Sequence, residues 1–67
     1  MCEASAYILT DDNQPVLIMD SVDKVEPEDS GIRLINIFGE QKIIRGQIHS
    51  LSLVDHKIFI KEDNPQP

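Results

Sequence analysis

The feature that most constrains this chain is its rhythm: short apolar runs broken by turn residues roughly every 8 to 12 positions. That is the pattern of an all-β sandwich or barrel, and helix has little support. Glu3 to Leu9 reads as a first strand, closed by the polar turn Asp11-Asp12-Asn13-Gln14-Pro15. Val16-Leu17-Ile18-Met19 begins a second strand that should form a hairpin with the first. Ser21 to Glu26, with Val22 and Val25 among charges and Pro27 after it, reads as an edge strand or a brief bend over the core. After the turn Glu28-Asp29-Ser30-Gly31, a nearly continuous apolar strand runs from Ile32 to Phe38, and Gly39-Glu40 turns the chain. Ile43 to Val54 reads as one longer strand with a bulge or barrel bend at Gly46. Asp55-His56 makes the last tight turn, and Lys57 to Lys61 is the final strand. The expected fold is therefore all-β: a small SH3-like β-barrel of short antiparallel strands, about six in number, spanning residues 1–61, with residues 62–67 as a polar, frayed C-terminal tail.

A chain of 67 residues buries only about 60% of its unfolded surface, so its own core is marginal and dimerisation is a natural remedy. A strand with one wet face should alternate strictly, yet Ile32 to Phe38 and Ile58 to Ile60 carry apolar side chains on both faces. Something must cover the second face. A sister subunit is the simplest cover, with Phe59, opposite in phase to Ile58 and Ile60, as the interface anchor; loops or the tail closing over Phe59 are the alternative.

Composition excludes several functions. The net charge of -6 repels phosphate backbones and anionic lipid. Three aromatic residues, Tyr7, Phe38 and Phe59, are too few for the stacking platform of a single-strand binder. Neither a nucleic-acid nor a membrane partner is expected. No apolar stretch approaches the roughly 18 residues of a membrane span, and Met1 to Leu9 lacks the basic residues of a signal peptide, so a cytoplasmic location is expected. No Gly-rich phosphate loop, GxSxG elbow or HExxH motif is present, and a domain this small has little room for a substrate pocket. An enzyme is not expected.

The chemistry that remains is concentrated at one end. Cys2 is the only cysteine and stands beside the α-amine of Met1. Amine, backbone amide and thiolate lie close enough in Met1-Cys2 to close two fused five-membered chelate rings on one ion. Nitrogen and thiolate donors in a plane suit Ni(II) or Cu(II), whereas Zn(II) prefers tetrahedral ligands gathered from several side chains. If an aminopeptidase removed Met1, Cys2 would carry the amine itself, with the Glu3 amide as a third donor. The bland reading of the same residue is a free thiol at a frayed end, since lone cysteines are usually inert. The two histidines lack recognisable metal-site spacing. If no bulge intervenes, His49 shares strand phase with Leu51 and Leu53 and is expected to be a satisfied, partly buried imidazole; His56, in a turn, is expected to face solvent.

The whole chain also resembles a known family. The Met1-Cys2 start running into a first strand, Val22 to Glu26 with Pro27 after it, Ile37-Phe38-Gly39-Glu40-Gln41-Lys42, Gly46-Gln47-Ile48 and the closing His56-Lys57-Ile58 together are similar to the CooT family of small nickel-binding proteins. The match rests on the order and spacing of these short motifs over residues 1 to 61, each being weak alone. The resemblance implies a small, acidic, often dimeric β-barrel tied to nickel supply during carbon monoxide dehydrogenase maturation. It implies Cys2, and no other side chain, as the nickel ligand. Relatives have been described as RNA-binding, which the charge here argues against. Residues 63–67 contain no histidine, so bulk nickel storage is not expected. The functional expectation is a metallochaperone that takes Ni(II) at Met1-Cys2 for a nickel enzyme, one ion being shared by two Cys2 termini in a homodimer. The rival is a metal-free dimeric interaction module that docks a partner through a sheet edge or the Phe59 face.

Overall fold

The structure, a computed structural model, describes residues 3–12 and 14–62. They form six strands: β1 (Ala4–Leu9), β2 (Pro15–Glu28), β3 (Gly31–Asn36), β4 (Gln41–Ile44), β5 (Gly46–Ser52) and β6 (Lys57–Glu62). All six belong to one sheet, in the order β4-β3-β2-β1-β6-β5. The all-β, six-strand expectation holds, with two corrections. The sheet is not closed into a barrel, because β4 and β5 stand at its two edges. Nor is every pair antiparallel: β1 and β6 run parallel, Ser5 opposite Lys57 through Leu9 opposite Lys61.

The β1–β2 hairpin forms where the polar turn placed it. Thr10 N donates to the Gln14 carbonyl at 3.1 Å, Gln14 N donates to Thr10 Oγ1 at 3.3 Å, and Leu9 pairs with Pro15. Proline is tolerated there because the first residue of a strand can spare its missing donor.

Ser21 to Glu26 is neither an edge strand nor a bend. It continues β2 and is central: residues up to Val22 pair with β1, and Val22 to Glu28 pair with β3. The change of partner occurs at a bulge, where Ser21 takes φ 56° and the register shifts on both sides. A non-glycine residue rarely adopts that conformation. Here Asp20 Oδ1 accepts the Ser21 amide at 2.9 Å and so gives the turned backbone a local partner.

The strand from Ile32 also ends earlier than its apolar pattern suggests, at Asn36, with Ile37 and Phe38 in the turn. Asn36 is the buried polar residue of the core, and its side chain builds that turn. Its Oδ1 accepts from Phe38 N at 3.0 Å and Glu40 N at 2.9 Å, and its Nδ2 donates to Glu40 Oε1 at 2.7 Å. Gly39, at φ 86°, supplies the left-handed step.

The expected long strand over Ile43 to Val54 is two strands on opposite edges, joined by Arg45 alone. Gly46 is needed because a Cβ there would collide with the carbonyl oxygen of Lys61 on β6. With one residue linking its edges the sheet must curl, and the curl encloses Ala6, Met19, Val22, Ile32, Leu34, Ile44, Ile58 and Ile60. Leu34 and Ile60 are fully buried, each worth about 1.5 to 3 kcal/mol as a side chain removed from water. Strict alternation holds in β3, where Ile32, Leu34 and Asn36 point inward. Phe59 is half-buried on the outer face, where Tyr7 of β1 stacks on it with ring centroids 5.5 Å apart. Lys57 Nζ lies 5.9 Å from the Tyr7 centroid on the same face.

Candidate metal centre at the start of the first strand

Met1 and Cys2, the residues singled out as metal donors, lie outside the described residues. The described structure begins one residue later, at Glu3. On one side is the β2 bulge: Ser5 Oγ donates to Asp20 Oδ1 at 2.9 Å, and Ser21 Oγ donates to Glu3 Oε1 at 3.4 Å. On the other is the turn before β6, where the His56 carbonyl accepts the Ser5 amide at 2.9 Å. The first strand is therefore gripped from both flanks at its very start. It is not a loose end added to a finished sheet.

Beside this start lies a recess of about 380 Å³, lined mainly by apolar side chains that include Ala4, Val25, Ile48, Leu51 and Ile58. Glu3, His56 and Lys57 are its titratable members. The recess was not legible in the sequence, because its walls come from β1, β2, β5, β6 and the turn between the last two. The nearest sequence signal is the uncharged run Gly46 to Val54. Leu53 and Val54 at its end are 83% and 88% exposed.

The histidines separate. His49 does not share the phase of Leu51: a bulge between Ile48 and Ser50 leaves it out of the β5–β6 ladder and it is exposed, not partly buried. His56 is exposed as expected, at φ 56°, with its side chain against the recess. Among the described residues no three His, Cys, Asp or Glu side chains cluster in a way that could hold a metal ion. A larger cleft of about 620 Å³ offers no better site, because Asn36, Asp20 and Lys42 among its polar members are already engaged. Asn36 builds its turn, Asp20 accepts from Ser5 and Ser21, and Lys42 Nζ donates to the Ile18 carbonyl at 3.4 Å. The donor chemistry of amine, amide and thiolate fits a planar Ni(II) or Cu(II) chelate.

Comparison with known proteins gives a concordant result. The family model described as CO dehydrogenase accessory protein CooT matches residues 1–61. The crystal structure of a CooT from Carboxydothermus hydrogenoformans superposes with a TM-score of 0.86 at 43% identity, covering 94% of this chain and 100% of that one. No curated protein matches the chain.

Proposed function

This chain belongs to the CooT family of CO dehydrogenase accessory proteins, and from that premise we propose that it is a nickel metallochaperone whose Met1-Cys2 captures Ni(II) for delivery to a nickel enzyme, carbon monoxide dehydrogenase being the natural client. It is an accessory protein and not an enzyme. The observation that carries the reading is the position of the sole cysteine, at residue 2, in a chain matched to that family from its first residue.

The nickel ion is cargo. Capture requires the thiolate and the deprotonated amide, so affinity rises with pH and acidification favours release. The hydrogen bonds at Glu3 and Ser5 hold the start of the described first strand in place. Copper(II) binds such a donor set at least as tightly, so selectivity for nickel rests on which ion is available in the cytoplasm. In a homodimer two Cys2 termini supply two nitrogens and two sulfurs to one shared ion.

The metal-free interaction module remains as a second reading because Leu53, Val54 and Phe38 are strongly exposed apolar residues. Titration of Ni(II) into the wild type and Cys2→Ser, by calorimetry and absorption under a non-thiol reductant, separates the two. Tight binding with thiolate charge-transfer bands in the wild type alone is expected. Absence of binding in both proteins would leave the interaction module as the function.

A further inference from the structure

Resting on the homodimer in that reading, and not on its metal, we propose that two copies of this chain associate through β5 and the turn after it, Leu53 and Val54 of each copy entering the recess beside the first strand of the other. Gly46 to Val54 is the longest run in the chain without Asp, Glu, Lys or Arg. It also carries the two most exposed large apolar side chains among the described residues, Leu53 at 83% and Val54 at 88%, with Leu51 half-exposed beside them. Apolar side chains left in water as one patch mark an interaction site. β5 is moreover an edge strand, paired only with β6. Sheet edges are normally guarded against association by charge, as the opposite edge is by Lys42 in β4 and Arg45 after it. β5 has no such guard. The bulge between Ile48 and Ser50 interrupts its ladder, so the contact is made by side chains and not by continuing the sheet.

Charge and shape identify the occupant as a second copy. A partner of opposite sign would be drawn to the acidic surface that gives the chain its net charge of -6. A like-charged copy can approach only where that charge is absent, and the uncharged run is that place. The recess is itself balanced, its titratable members being one carboxylate, Glu3, one ammonium, Lys57, and His56. Leu53 stands on its wall and Val54 follows, so protruding apolar side chains and an apolar hollow of about 380 Å³ are neighbours on one surface. A twofold axis brings each protrusion to the hollow of the other copy, the self-complementary arrangement of an isologous dimer. Glu3, Asp55, His56 and Lys57 then supply a polar rim to an apolar centre. Phe59, the anchor expected from the sequence, lies on the opposite face of β6 from Ile58 and stacks on Tyr7 of its own chain.

The test is sedimentation equilibrium of the full chain in the presence of a metal chelator, comparing wild type with Leu53→Glu, Val54→Glu and, as a control at another exposed apolar position, Phe38→Glu. All three side chains are exposed, so the substitutions leave the core intact, and far-UV circular dichroism verifies the fold. The expected result is a dimer of twice 7.6 kDa for wild type and Phe38→Glu, with the dissociation constant raised about thirtyfold or more in Leu53→Glu and Val54→Glu, as for an interface anchor. In a mixture of isotope-labelled and unlabelled chains, the Val54 methyls should show nuclear Overhauser contacts to Ala4 and Leu51 of the other copy. A monomeric wild type, or a dimer that Leu53→Glu and Val54→Glu leave intact, overturns the assignment. A dimer that forms only with nickel and is lost in Cys2→Ser overturns it as well and places association at the metal. Nickel capture by Cys2 is read separately by calorimetry, so either proposal can fail while the other stands.

Discussion

Asn36 shows how one side chain can set the length of a strand. Its two acceptor bonds and one donor bond occupy the amides of Phe38 and Glu40 and the Glu40 carboxylate. Buried at 6% exposure, it has no water to replace those partners. Asn36→Ala should therefore cost about 1 to 3 kcal/mol, the penalty for leaving buried polar groups unpaired. Urea denaturation would show this as a lower midpoint with an unchanged slope. The signal was present in the sequence as an asparagine three residues before a glycine, a common turn arrangement. The apolar neighbours Ile35, Ile37 and Phe38 masked it, because hydrophobic continuity argues for a strand and carries no record of where a side chain caps one. His49 failed to follow its expected phase for a related reason: a single bulged residue reverses every face after it, and a bulge leaves little trace in composition.

Among the elements, β2 and the β4–β5 connection mattered most and were least visible. The turns that bound the hairpin and the final strand were legible because aspartate, asparagine and proline favour turn conformations locally. Ser21 looked like a break because its neighbours are charged, yet it is the point at which one strand leaves β1 and takes up β3. Gly46 was legible as a special position, but its reason is the Lys61 carbonyl packed against it, a contact between residues far apart in sequence. Gly46→Ala should destabilise the fold by about 1 to 3 kcal/mol through that collision. The melting temperature should fall accordingly, and the loss should reach nickel binding only through stability. Replacement of the exposed Arg45, one residue earlier, gives a baseline for the same measurement.

For the molecule as a whole, the metal proposal predicts a stoichiometry. Nickel titration followed by size-resolved mass measurement should give one ion per dimer when two Cys2 chelates share it, and one ion per chain would rule out the shared site. The proposed Met1-Cys2 chelate is read from the sequence because thiolate, amine and amide meet within one dipeptide, a local fact. The recess beside the first strand was not legible, since it depends on β6 lying parallel to β1, and a parallel pair leaves no short-range mark in a sequence. That pairing also has a consequence in time. On the ribosome β1 is made before the other strands, but β6, which pairs with it in parallel, is the last of the six to emerge. The parallel β1–β6 pair can thus close only after all six strands have been made.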